Sequence, residues 1–488
     1  MARLTTTGLG KRRVPLAKGA NKREKLSSRP AAAFGPIGGA VTVERLAHDG
    51  RGIARDAHGK TLFIDGALPG EQVEIAIHRQ RRRFDEAHVR ERLTDAPERV
   101  VPPCEYAERC GGCDLQHLAV EAQREHKRRV LVELLRRQSI EVPHAPSLLA
   151  GDEGGYRRRA RLGVKCDGEG RVHLGFRARG SEQLVDIARC HVLVPRLSAL
   201  LPALRVQLET LAVPRHVGHL ELLATDGERP VVVVRQLRDV PEDAARWREF
   251  AARENVALAL LRGRETITLD WLSDVPRLTT QVAGSAGAVT LGLAPGDFLQ
   301  ANAEINQRLI DTVRDWLALG GSERLLDLFA GIGNFSLALA ADVASVTAVE
   351  GSNAMVERLR DNARRNECHD VTALQADLSA PGEAIDALFA EHDTVLLDPP
   401  RGGADALCRR LAASSSGRVL YVSCDPASLA RDAGHLLAGG FRLERLAVAD
   451  MFVHTAHLES LALFTRPRRR RAGEGADGLS SVATGGKR

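Results

Sequence analysis

Arg324-Leu325-Leu326-Asp327-Leu328-Phe329-Ala330-Gly331-Ile332-Gly333-Asn334-Phe335-Ser336 reads as an apolar strand running into a tight glycine turn and then a helix. Glycine at 331 and 333 removes the Cβ atoms that would hold a ligand away from the backbone. From about residue 324 onward, strand and helix patterns alternate regularly, which predicts an α/β domain with a doubly wound parallel sheet. Val346-Thr347-Ala348-Val349-Glu350 ends the next strand in a carboxylate, the residue type that accepts from the two hydroxyls of a ribose. Ala373-Leu374-Gln375-Ala376-Asp377 ends a third strand in another acid, suited to an adenine amino group. A dinucleotide would want G-x-G-x-x-G/A around its pyrophosphate, but position 336 is Ser and no basic residue neighbours the loop in sequence. A cofactor with no phosphate, S-adenosylmethionine (SAM), fits the looser loop.

Further along, Asp393-Thr394-Val395-Leu396-Leu397 leads into Asp398-Pro399-Pro400-Arg401-Gly402-Gly403. An acid and two prolines after a buried strand make a rigid lip at the carboxyl edge of the sheet, where ligands bind in such folds. The following strand, Arg418-Val419-Leu420-Tyr421-Val422-Ser423, delivers Cys424-Asp425-Pro426 to the same edge. An isolated buried Cys is ordinarily an inert small hydrophobe. At a strand's carboxyl end, directly before Asp-Pro, a thiolate becomes a nucleophile candidate. Downstream, His454-Thr455-Ala456-His457-Leu458-Glu459-Ser460 brings two imidazoles and a carboxylate, and Glu459 is a candidate general base.

The rest of the 488 residues must hold more than one core. No apolar run approaches the roughly 20 residues of a membrane helix, and the N-terminus has no apolar signal core, so a cytoplasmic location is expected. The net charge of +6 is concentrated at the ends: residues 1–30 contribute about +8 and 466–488 about +5, leaving the body near −7. A nucleic-acid surface on the body must therefore be local, with residues 79–83, 124–129 and 156–161 as basic candidates. Between Val41 and Pro97, short alternating stretches split by Gly predict a small β-barrel of the OB type. Leu118 to Arg137 has helical spacing, stopped by Pro143 and Pro146. Residues 156–280 mix strand and helix patterns and say little about chemistry. Of eight cysteines, Cys104, Cys110 and Cys113 cluster, which in a cytosolic protein suggests metal or iron–sulfur ligation rather than disulfides.

In order and spacing, the motifs resemble the RNA uracil-5-methyltransferases, specifically the branch acting on 23S ribosomal RNA. The resemblance covers nearly everything between the tails: the loop 329–334, Glu350, Asp377, residues 398–403, Ser-Cys-Asp-Pro at 423–426, His-Leu-Glu-Ser at 457–460, and Asp297-Phe298-Leu299-Gln300-Ala301-Asn302. It implies that Gln300, Phe329, Asn334, Glu350, Asp377 and Asp398 bind SAM or complete its pocket. Cys424 would be the nucleophile, adding to carbon 6 of uracil, and Glu459 the base. Phe298, from its position, could stack on the target base. Residues 41–97 would be a TRAM domain. Cys104, Cys110, Cys113 and the distant Cys190 would ligate a [4Fe–4S] cluster; spacing by itself leaves a Cys₄ zinc site equally open. Cys166, Cys368 and Cys408 would then be ordinary buried thiols.

The expected organisation is a flexible basic arm (1–33), the OB-like barrel (34–97), a central α+β domain with the cluster (98–284), the SAM-dependent methyltransferase domain (285–466) and a flexible basic tail (467–488), working as a monomer. Two other functions compete. A cytosine-5 enzyme would typically carry Cys in the Pro motif, where this chain has Asp398-Pro399-Pro400-Arg401. A non-catalytic RNA-binding assembly factor would have no use for Cys424, Glu459 and the glycine loop together.

Overall fold

The computed structural model describes residues 40–467 apart from 228 and 264–266; the basic arm and nearly all of the basic tail lie outside the described residues. The first six strands close on themselves for a simple reason. Val41–Thr42 pairs with Gln72–Gln80, and four residues later Arg45–Leu46 pairs with Gly52–Arg55. One short segment thus joins both edges of the sheet and makes it a barrel. Alternation along Gln72–Gln80 sends Val73, Ile75 and Ile77 inward against Leu62, Ile64 and Ala87.

A second sheet of seven strands follows, running from Leu184–Asp186 at one edge to Thr268–Trp271 at the other. Helices Leu200–Thr210 and Pro241–Arg253 share its core, where Leu204, Trp247 and Phe250 are fully buried. The expected boundary at 284/285 falls inside a hairpin, Thr279–Gly284 with Gly287–Gly292, whose Val282, Val289 and Leu291 pack into the C-terminal core.

The C-terminal sheet has the order Val371–Gln375, Ser345–Glu350, Arg324–Leu328, Thr394–Leu397, Arg418–Ser423, Glu459–Thr465, Arg442–Ala449 and Ser147–Leu149. The first five are parallel, and Glu459–Thr465 runs antiparallel to both of its neighbours. The doubly wound expectation thus holds for the parallel part, with a reversed strand inserted at its end. Two pieces assigned from sequence to the central domain belong here instead. Ser147–Leu149 forms the edge beside Arg442–Ala449. Helix Val120–Arg137 lays Val130, Leu131 and Leu135 onto the core that holds Phe464 and Leu436. Helical spacing shows that a face is apolar but not which sheet will cover it.

The strand at 324–328 does not run straight into a regular helix. Gly331 (φ +56°) and Gly333 (φ +98°) sit in the left-handed region, so residues 331–339 form successive turns that end in the short 3₁₀ helix Ala340–Asp342.

Candidate active site

A narrow cleft of about 60 Å³ opens at the carboxyl edge of the parallel sheet. Gln300, Phe329, Asn334 and Asp398 line it together, as do Phe298 and Ile332. Phe329 itself adopts φ +66°, an uncommon conformation for a bulky residue, and its amide donates to Val349 O at 2.9 Å. Glu350 reaches the loop by another route: its carboxylate accepts from the amides of Gly331 (3.1 Å) and Ser352 (2.9 Å). Asp377 is not among the residues lining the cleft. It is exposed at the next strand end, where its carboxylate accepts from Ser379 N and Oγ at 2.9 and 2.6 Å.

Sequence reading missed two residues of this cleft. Asn306 exchanges a reciprocal pair of amide hydrogen bonds with Asn334, at 2.9 and 3.0 Å. The available signal was an Asn inside the otherwise apolar face (Ile305, Leu309, Ile310, Val313) of helix Ala303–Leu317. Arg158 lines the cleft as well, although no basic residue neighbours the loop in sequence; its Nη1 is held by Thr280 Oγ1 at 3.0 Å and Asp226 at 3.4 Å. In two of the candidate basic runs one residue accordingly turns inward, while Arg129 and Arg161 stay exposed. Arg158 is buried in this wall, and Lys127, only 1% exposed, pairs with Asp450 at 2.6 Å. Arg159 and Arg161 are partnered by Glu221.

Cys424 and Glu459 are brought together by strand register. Ser423 pairs with Ser460 across antiparallel strands, and Ser460 Oγ donates to Ser423 O at 3.2 Å. The ladder ends there, and Cys424, the next residue along one strand, and Glu459, the first of the other, lie close enough for the Glu459 charge to act on the thiol. The strand then turns into helix Pro426–Ala438, whose N-cap Asp425 accepts from Ala427 N and Ser428 N at 3.0 and 2.9 Å. Cys424 therefore sits between a strand end and a helix start. Burial raises the Cys424 thiol to about 11, helped by Glu459 and Asp398 and opposed by Arg401. Burial likewise lifts Glu459 well above the usual carboxylate range, again with Asp398 adding and Arg401 opposing. Asp398 is raised to about 7 by burial and then by Asp327. Asp327 also lies near 7, through burial, although Ser336 Oγ donates to it. Desolvation, with Asp398 acting on Glu459 and Asp327 on Asp398, thus raises all three carboxyls, so that a cation placed beside them would favour their ionised forms.

The segment between strands Arg442–Ala449 and Glu459–Thr465 contains no helix or strand, and its groups are held from outside. Lys127 Nζ donates to Phe452 O (2.9 Å) and Tyr156 Oη to Val453 O (2.9 Å). The amides of Asp114 and Leu115 both donate to His454 O at 2.9 Å. Those last two residues directly follow Cys113. Cys113 and Cys190 pack against Val453, Val192 and Tyr156. Burial pushes Cys113 up to about 12, with Cys190, Cys110 and Cys104 adding to the effect. The four thiols thus converge from two stretches of chain. Backbone amides point at the sulfurs: Gly112 N at Cys110 Sγ, 3.4 Å, and those of Leu193 and Val192 at Cys190. Even so, among the described residues no group of three or more His, Cys, Asp or Glu is gathered tightly enough to hold a metal ion. Of the remaining thiols, Cys408 is buried, whereas Cys166 and Cys368 are only half-buried.

Residues 119–467 match the tRNA (Uracil-5-)-methyltransferase family and residues 40–89 the TRAM domain. The chain belongs to the uracil-5-methyltransferase family. A 23S rRNA (uracil(1939)-C(5))-methyltransferase RlmD of Chromohalobacter salexigens is 58% identical over 461 residues, covering 94% of this chain and 95% of that one. Its counterpart from Halomonas elongata is 53% identical, over 97% of this chain and all of the relative. Among solved structures, the Pyrococcus abyssi tRNA (uracil-54, C5)-methyltransferase in complex with S-adenosyl-L-homocysteine superimposes with a TM-score of 0.67 at 22% identity, over 87% of this chain and all of that one. That likeness establishes the shared α/β methyltransferase fold. Among the described residues no helix is long and apolar enough to cross a membrane.

Proposed function

We propose that this protein is a cytoplasmic, monomeric enzyme that uses SAM to methylate carbon 5 of a uracil in 23S ribosomal RNA, giving 5-methyluridine. Family membership and the two RlmD relatives support the reaction and the substrate class. The single observation that supports the mechanism is the proximity of Cys424, at the end of the Ser423–Ser460 ladder, to Glu459 and Asp398, whose charges both act on the thiol.

The cleft suits SAM. Glu350 keeps lone pairs free for a ribose diol after accepting from Gly331 and Ser352. Gln300 and Asn334 supply amides, Phe329 an apolar wall, and Asp398 an acid whose charge a cation would restore. Asp377 would take the adenine end by turning from Ser379. SAM supplies an electrophilic methyl group on a sulfonium. Cys424, once it has lost its proton to water, adds through sulfur to carbon 6 of the uracil. The C–S bond forms and the C5=C6 π pair moves into an enolate, so carbon 5 becomes nucleophilic and would take the methyl group in an in-line displacement, the S–CH3 bond breaking with its electron pair left on sulfur as the neutral thioether. Glu459 removes the carbon-5 proton, the C5=C6 bond returns, the C6–S bond breaks and the thiolate leaves. The uracil must be flipped out of its stack to reach this depth, and the 66% exposure of Phe298 in the cleft lining supports a role for its ring in stacking on the base.

We also propose that Cys104, Cys110, Cys113 and Cys190 hold a [4Fe–4S] cluster. Their convergence and the amides aimed at Cys110 and Cys190 support this, since N–H···S bonds are a recurrent feature of such sites. Methyl transfer moves no unpaired electron, so the cluster would serve structure.

The test is methyl transfer to ribosomal RNA by two variants. Cys424→Ala should lose turnover while still binding SAM; methylation by that variant would end the covalent reading. Glu459→Gln should accumulate an SDS-resistant protein–RNA adduct.

A further inference from the structure

The polypeptide that delivers Glu459 is an irregular segment, residues 450–458, and its central residue His454 adopts φ +67°. A β-carbon residue rests in the left-handed region only when its surroundings fix it there. Gln123, 1% exposed on helix Val120–Arg137, does much of that fixing. Its Oε1 accepts from His454 N at 2.9 Å, and its Nε2 lies 3.2 Å from His454 Nδ1. The same Nε2 donates to Leu118 O at 2.7 Å and Leu115 O at 3.0 Å. Leu115 in turn donates its amide to His454 O, and Asp114 does so beside it. One amide side chain therefore binds the cysteine loop, the helix and the base-bearing segment into a single unit.

We propose that Gln123 is a positioning residue for Glu459: it sets the path of residues 450–458 so that the carboxylate stands over carbon 5 rather than beside it. The inference rests on Glu459 being the base, as proposed above. A side chain that holds only the base segment should matter at proton removal and much less at SAM binding or sulfur addition. A misplacement of about 1 Å costs on the order of 100-fold in a proton transfer.

The experiment uses the full-length protein and a 23S rRNA fragment tritiated at uracil carbon 5, with two readouts: tritium release and SDS-resistant adduct. Gln123→Met keeps the volume and removes the hydrogen bonds. It should slow tritium release roughly 10- to 100-fold and accumulate adduct, while SAM affinity stays within about twofold of wild type. Release at the wild-type rate, or adduct formation and release falling by the same factor, would overturn the proposal. Should Gln123→Met not fold, Asp114→Ala, which removes the carboxylate facing Ala456 N at 3.4 Å, carries the same expectation at smaller size. Glu459→Gln runs alongside. If it releases tritium normally, the base assignment itself fails and takes this inference with it. If it traps adduct and the Gln123 and Asp114 variants do not, only the positioning role falls.

Discussion

Lowering the pH from 8.5 to 5.5 should weaken SAM binding far more than binding of S-adenosylhomocysteine, because only SAM carries a sulfonium charge. The titrating group is Asp398, raised to about 7 by burial and by Asp327. Its carboxyl is mostly ionised at pH 8.5 and mostly protonated at pH 5.5, so a ligand that needs the anion loses on the order of tenfold in apparent affinity over that interval. Asp398→Asn should remove the difference between the two ligands at every pH. The same group predicts a stability effect whose sign can be worked out. Its folded value of about 7 exceeds the ordinary 3.8, so stability is fully present below about pH 4, declines as pH rises, and is lost above about 7, by at most about 4 kcal/mol. Ligand-free Asp398→Asn should accordingly be more stable than wild type at pH 8 and equal to it at pH 3.8. Isothermal titration calorimetry with both ligands, together with urea melts of the free protein, measures these quantities. Parallel pH profiles for SAM and S-adenosylhomocysteine would refute the assignment of Asp398 as the group that meets the cation, as would a difference between them that survives in the Asn variant.

Three other outcomes follow from the packing. Asn306→Ala should strip Asn334 of both reciprocal bonds and weaken SAM binding by about 1–2 kcal/mol, read as a five- to thirtyfold rise in Kd, with little change in the thermal midpoint. Asp450→Ala leaves Lys127 buried without its carboxylate and should cost about 3–5 kcal/mol of stability, whereas Lys127→Met with Asp450→Asn should recover most of it, as chemical denaturation would report. If the four thiols hold the proposed cluster, anaerobically purified protein should carry iron and visible absorption that Cys113→Ser abolishes; iron-free wild-type protein would end that proposal, and full iron content in the variant would remove Cys113 from the ligand set.

What could be read in advance was whatever is local. The strand–turn–glycine pattern at 324–336 and the alternation at 72–77 depend on neighbours a few residues away, and both stand in the fold. The helix expected after Gly333 does not, because left-handed glycines break a ladder that apolar spacing alone would extend. Cys424 and Glu459 were each recognisable by residue type and by resemblance, but their pairing depends on an antiparallel register between strands separated by another strand in sequence. Arg158 shows the opposite failure. A run of arginines at 157–159 reads as a candidate nucleic-acid surface, and nothing short of the three-dimensional packing puts the middle one against Thr280 in the cleft wall. Gln123 carried no signal at all, since a single Gln in an amphipathic helix is ordinary until its partners are known.

The edge strand Ser147–Leu149 and helix Val120–Arg137 complete a sheet whose other members begin at Arg324. On the ribosome, about 300 residues separate the end of that helix from its partner strand at Arg442–Ala449, which at roughly 5–20 residues per second is a wait of roughly 15–60 s. Through that interval Leu131, Leu135 and the Lys127 ammonium lack the partners that strands and helices beyond residue 324 supply, so the nascent chain presents an apolar stripe. An excised fragment starting at residue 285 would face the converse problem: a bare sheet margin along Ala447–Ala449 and a carboxylate at Asp450 with no counter-ion, a recipe for inclusion bodies rather than a minimal catalytic domain.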